Sequence, residues 1–152
     1  MPEIAIRRDH TRDLAPLARL LADAGDLARV NPSAKHPFDA EEWREKWLNE
    51  VDDEAFYLVD GQGREVGFFA LRVGIGPEVR HLAYVFVEEA MRGGTGARLA
   101  DLAESAAREL GALTITLKVE LDNPAAVNLY HAAGYEEISR RNGLATMRRD
   151  LD

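Results

Sequence analysis

Apolar positions change their period several times along this chain, and each change predicts an element. Glu3-Ile4-Ala5-Ile6-Arg7 alternates and predicts a short strand. Leu14, Leu17, Leu20 and Leu21 then share one face of a helix, capped by Thr11 or Asp13. Pro16 is easier to place with Asp13 as the cap, because it then falls in the first turn. Residues 31–38 hold two prolines and no clear period, which predicts a loop. Residues 40–49 predict a short helix with Trp43, Trp47 and Leu48 facing inward. Strands are expected at 55–59 and 65–73, separated by Asp60-Gly61-Gln62-Gly63, a sequence suited to a hairpin turn. Gly74-Ile75-Gly76-Pro77 makes the next turn, and 79–87 is the third and longest strand. A helix over 96–110 puts Leu99, Leu102, Ala103, Ala106 and Leu110 on one stripe, and Gly111 stops it. The β-branched run 113–119 reads as a central strand, parallel to its predecessor through that crossover helix. Asn123 caps a helix that begins at Pro124 and ends at Gly134. Residues 135–139 and 144–148 form a last hairpin around Asn142-Gly143.

The resulting order, β-α-α-β-β-β-α-β-α-β-β, is mixed α/β. At 152 residues, without repeat, low-complexity tract or linker, the chain is expected to form a single domain over 1–152. No apolar run approaches the roughly 20 residues of a membrane span, and the acidic N-terminal segment does not resemble a signal peptide. Cysteine is absent, which excludes a disulfide frame and thiol chemistry and is compatible with a reducing, cytoplasmic location. The net charge of −8 argues against nucleic acid and anionic membrane surfaces as partners. It suits a cationic acceptor such as an amine, and equally plain solubility. His10, His36, His81 and His131 have no metal-ligand spacing, so no metal is expected.

The chemistry is concentrated in Val85-Phe86-Val87-Glu88-Glu89-Ala90-Met91-Arg92-Gly93-Gly94-Thr95-Gly96-Ala97, where an apolar strand runs into an arginine, a glycine-rich turn and a helix opening at Arg98-Leu99. Unpaired N–H groups of a first helical turn, with the helix dipole behind them, attract anions. Glycines let main chain approach a phosphate, and Arg92 adds a full charge. The segment is neither a P-loop nor a full dinucleotide fingerprint. A second segment follows about thirty residues on, at Asn123-Pro124-Ala125-Ala126-Val127-Asn128-Leu129-Tyr130-His131-Ala132-Ala133-Gly134-Tyr135.

Together the two segments resemble the GNAT superfamily of acyl-CoA-dependent N-acyltransferases. The first is similar to V-x-x-x-x-R-x-x-G-x-G/A at Val87, Arg92 and Ala97, with Thr95 where the family usually has glycine. The second is similar to N-x-x-A-x-x-L-Y-x-x-x-G-F/Y at Asn123, Ala126, Leu129, Tyr130, Gly134 and Tyr135. The element order is similar over nearly the whole length. The resemblance implies a mostly antiparallel central sheet with one parallel strand pair splayed at the cofactor site. It implies acetyl-CoA as co-substrate and direct transfer to an amine of a small molecule or peptide. A homodimer is suggested by family habit.

Site residues follow from the same resemblance. The turn of Arg92, Gly93, Gly94, Thr95, Gly96, Ala97 and Arg98 would grip the pyrophosphate. Thr95 still offers its N–H, provided its backbone is helical, because threonine tolerates positive φ poorly. The main chain of Val85, Phe86 and Val87 would meet the acyl group and the pantetheine arm, one N–H polarising the thioester carbonyl. Asn123 and Asn128 would contact the cofactor, though Asn123 is also a plain helix cap. Tyr130 would be the general acid for the departing thiolate. The general base is not evident: Tyr84 and Lys118 stand where relatives keep carboxylates. His81, two strand periods before Val85 and on its face, is the candidate, with Glu120, Glu78 and Glu54 as further ones. Trp43, Trp47, His36 and Phe38 could line the acceptor pocket, and the two tryptophans could equally be core. The alternatives are a non-catalytic acyl-CoA-binding sensor or partner subunit, and a nucleotide-binding α/β domain.

Overall fold

In the computed structural model the described residues are 3–76, 78–92 and 95–151. Seven strands form one mixed sheet in the order β1-β2-β3-β4-β5-β7-β6. They are β1 (Ala5–Arg8), β2 (Glu54–Val59), β3 (Glu65–Val73), β4 (Val79–Val87), β5 (Thr114–Glu120), β6 (Glu136–Arg141) and β7 (Leu144–Asp150). The parallel pair is β4–β5, registered from Val79–Thr114 to Leu82–Leu117. The expected fold class is therefore the observed one. Helices are α1 (Ala15–Leu20), α2 (Ala24–Val30), α3 (Ala40–Glu42), α4 (Thr95–Glu109) and α5 (Pro124–Ala132). The chain divides into two compact units, Met1–Arg72 with Tyr84–Arg92, and Val73–Ala83 with Gly93–Asp152.

In the first unit, leucines of α1 and α2 pack with Trp43 and Leu48 against Ala55, Tyr57, Phe68, Ala70 and Phe86. Tyr57 ties α1 to β2: its hydroxyl donates to Asp13 O at 2.6 Å and accepts from Leu17 N at 3.3 Å. After the expected helix, α1, a second and unexpected one forms: Asp23 adopts extended backbone while its carboxylate accepts from Asp26 N and so caps α2. The N-cap of α1 is Leu14, not Thr11 or Asp13, although the Asp13 carboxylate accepts from Ala15 N at 3.2 Å. After α3, Trp43–Trp47 winds as a π-helix, with Leu48 N donating five residues back to Trp43 O at 2.8 Å.

In the second unit, β5 pairs with β7 and β7 with β6, all antiparallel. Asn142 and Gly143, at φ 53° and 77°, make the expected tight turn between β6 and β7. The apolar stripe of α4 is buried at Leu99, Leu102, Ala103 and Ala106. Glu104, on the same helix and also buried, is paired with Arg149 of β7 and with Arg108. Strand β5 starts at Thr114, one residue later than expected, and Leu113 before it is 55% exposed.

Candidate functional site

Strand β4 carries the first part of the expected site. Tyr84 has φ 56° within the strand, a left-handed conformation rare for a bulky residue. It lies between His81 and Val85, so alternation across an unbroken pleat does not assign those two to one face. Phe86 is buried, whereas Val85 and Val87 are half-buried. The main chain at Phe86 is approached closely by Gly67 of β3, where a Cβ would lie 2.6 Å from Phe86 O. Arg92 folds back along the strand end. Its Nε donates to Val87 O at 2.8 Å and its guanidinium lies 5.5 Å from the Phe86 ring centre.

Gly93 and Gly94, both expected to bind pyrophosphate, lie outside the described residues. The next expected ligand, Thr95, is the first residue of α4, and its side chain is buried. Thr95 is not among the described residues with positive φ, so threonine there carries no left-handed strain. Gly96 has a role the sequence does not disclose. A Cβ on it would stand 2.8 Å from Leu129 Cδ2, so the small residue lets the first turn of α4 pack on α5. Ala97 and Arg98 are exposed on that turn.

Helix α5 carries the remaining residues. Asn123 is its N-cap, with Oδ1 accepting from Ala126 N at 3.2 Å. Asn128 is exposed and Tyr130 half-buried. The Tyr130 ring meets the Tyr135 ring edge-on, 5.5 Å between centres. Burial raises the pKa of Tyr130 above the ordinary phenol value, so it holds its proton at neutral pH. Tyr135 is raised further, again first by burial.

His81 sits opposite Thr116 in the parallel register, with Nδ1 2.9 Å from Thr116 Oγ1. Lys118, Glu120 and Glu78 are exposed, and Glu54 is paired with Arg8 at 2.7 Å. Trp43 is fully buried and stacks on Phe38 at 5.3 Å, while His36 is exposed. Sequence reasoning missed Arg72. Its guanidinium bonds Asp53 Oδ2 at 3.2 Å, Asn49 Oδ1 at 3.0 Å and Tyr84 Oη at 3.4 Å. Its partners lie 12 to 23 residues away in sequence, so no local pattern announces them.

Among the described residues no group of His, Cys, Asp or Glu is arranged to hold a metal, and no helix is long and apolar enough to cross a membrane.

A model of the acetyltransferase (GNAT) family matches residues 20–135. An uncharacterized N-acetyltransferase of Methanocaldococcus jannaschii is 31% identical over 101 residues, which is 62% of this chain and 45% of that protein. The chain thus spans under half the length of that relative. The spermidine N-acetyltransferase of Vibrio cholerae, solved with CoA and spermine, superposes with a TM-score of 0.76 at 19% identity over 97% of this chain and 95% of its own. A domain from Methanocaldococcus jannaschii superposes at 0.77 and 15% identity, covering 99% and 100%. At these identities the two structures speak for the fold.

Proposed function

The chain belongs to the GNAT family of acetyltransferases, and from that membership we propose that it moves an acetyl group from acetyl-CoA directly to an amine of a small molecule or peptide. The family match runs through both compact units, and we take 1–152 as one catalytic domain. The observation that carries this reading is the contact between Gly96 and Leu129. It ties the opening of α4, with its outward N–H groups, to the helix that presents Tyr130.

The residues fit the co-substrate. Amides at the start of α4, with Arg98 exposed beside them, offer donors and charge to a diphosphate. Main chain at Val85, Phe86 and Val87 offers N–H and C=O groups to the amide-bearing arm. The thioester supplies an activated acyl carbon. The amine nitrogen attacks that carbon, the C–S bond breaks, and Tyr130 protonates the departing sulfur. In the tautomer that puts the proton on Nδ1, which lies 2.9 Å from Thr116 Oγ1, His81 Nε2 carries the lone pair that takes the amine proton, directly or through water. No cysteine exists to form an acyl-enzyme, which favours direct transfer.

The test is CoA release, followed by thiol detection, across simple amines, amino acids, aminoglycosides and peptide N-termini. Turnover of at least one class is expected. Acetyl-CoA binding with no turnover of any acceptor would instead identify a sensor.

A further inference from the structure

Arginine donors gather around Asp53. The Asp53 side chain is 0% exposed, yet arginines converge on it. Arg72 pairs with its carboxylate, Arg12 Nη2 donates to its main-chain oxygen at 2.6 Å, and Arg44 Nη2 donates to Arg12 O at 3.3 Å. Asp9, which interacts electrostatically with Arg12, is pushed toward its neutral form, mainly by burial. Three arginines thus gather in a chain of net charge −8.

The donors do not all find acceptors. Arg12 Nη1, Trp43 Nε1 and Trp47 Nε1 are buried without hydrogen-bond partners. Trp43 is 0% exposed, and its ring meets that of Tyr84 edge-on with 5.0 Å between centres. Buried donors are nearly always satisfied in folded proteins, and those that are not point to a missing partner such as a ligand. Tyr84 adds a second sign of a working site. It bonds Arg72, holds a left-handed backbone within a strand, and immediately precedes Val85. Such strain persists where the surroundings impose it, and it concentrates at sites of function.

We propose that the acceptor amine carries a carboxylate, received by Arg72 and the indole N–H of Trp43 beside the Tyr84 phenol, so that the substrate is an α-amino acid or similar zwitterion rather than a polyamine. The inference rests on the transferase reading above. A polycation would meet guanidinium groups and N–H donors here, whereas a carboxylate supplies the acceptor that the Trp43 indole lacks and a counter-charge for Arg72.

The experiment compares each α-amino acid with the amine left when its carboxylate is removed, using wild-type enzyme and acetyl-CoA. The amino acid of at least one pair is expected to be favoured in kcat/KM by about 10-fold or more, the scale of one hydrogen bond to a charged group. Replacing Arg72→Gln together with Asp53→Asn leaves no lone buried carboxylate. That pair of changes is expected to raise KM for the amino acid and remove the preference, with KM for acetyl-CoA unchanged. Binding of the amino acid should also change the fluorescence of Trp43 and Trp47, the only tryptophans in the chain. Equal or better turnover of the decarboxylated amines would overturn the inference and leave the transferase reading standing. Silence from every acceptor, with acetyl-CoA still bound, would overturn both. The wild-type comparison decides the matter even if the double variant fails to fold.

Discussion

Gly96 lies against Leu129 so closely that a Cβ would come within 2.8 Å of Cδ2 and 3.2 Å of Cδ1. Gly96, between the first motif's Thr95 and Ala97, thus packs directly on the leucine of the second. Gly96→Ala gains roughly 1 kcal/mol of helix propensity but displaces the side chain next to Tyr130. We expect stability within about 1 kcal/mol of wild type, but a fall in kcat of roughly tenfold, because small misplacements of reacting groups are costly. Adding Leu129→Ala should restore the space and recover part of the rate. Urea unfolding and steady-state kinetics on both variants check this, and an unchanged kcat in Gly96→Ala would refute it.

Tyr130→Phe keeps the ring that meets Tyr135 and removes only the acid. A loss of about 10²-fold in kcat is expected, with acetyl-CoA affinity by calorimetry unchanged. The pH profile supplies a sharper test. A general acid works while protonated, and burial raises the Tyr130 pKa above 10.0. The wild-type rate should therefore hold through neutral pH and fall only on the alkaline side of the ordinary phenol value. That limb should be missing in Tyr130→Phe. A proportional loss of affinity would make Tyr130 structural.

Asp9 gives a stability prediction of defined sign. Its folded pKa is raised above 3.8, chiefly by burial, which outweighs the bond from Asp13 N. A carboxylate with a raised folded pKa favours the folded state below its unfolded pKa, and that advantage is lost as pH rises through the folded value. Asp9→Asn removes the charge while keeping an oxygen for Asp13 N. It should be more stable than wild type at pH 7, and the gap should close as pH falls toward 3.8. Thermal unfolding across pH 3–8 measures this, and a gap that widens in acid would contradict it.

How much was legible depended on whether the cause was local. The bounds of β3 and β4 follow from apolar runs ended by turn residues, and Asn142-Gly143 shows its turn because both residues adopt positive φ. Helix α2 was not read because the leucine stripe ends at Leu21 and Leu27 is the one leucine in α2, so only the Asp23 cap marks its start. The left-handed Tyr84 was not readable, since nothing in an aromatic residue flanked by alanine and valine announces positive φ. In the site, motif spacing pointed to α4 and α5, whose residues act through neighbours in sequence. The Asp53–Arg72–Tyr84 group stayed hidden because it is assembled by strand pairing over long separations. Gly96 was expected to let main chain approach a phosphate, and packing on Leu129 is what the structure adds.

Gly67 offers the harshest test of how β4 is held. A Cβ there would stand 2.6 Å from Phe86 O and 2.7 Å from Leu58 Cδ1. Leu58 can rotate, but Phe86 O belongs to the main chain of a strand and cannot move without it. Glu88 N, two residues on, donates to Val66 O at 2.8 Å, so the strand end is also pinned. Gly67→Ala must therefore displace the main chain proposed to meet the thioester, at a cost of roughly 1–3 kcal/mol or more. Acetyl-CoA affinity should fall with stability, because the displaced carbonyl and its neighbours form that contact. Gly61→Ala is the control: nothing lies within 4 Å of its Cβ, and a change within about 0.5 kcal/mol is expected. If Gly67→Ala unfolds at the same urea concentration as Gly61→Ala and binds acetyl-CoA equally well, the close approach of β3 to Phe86 is not what positions β4.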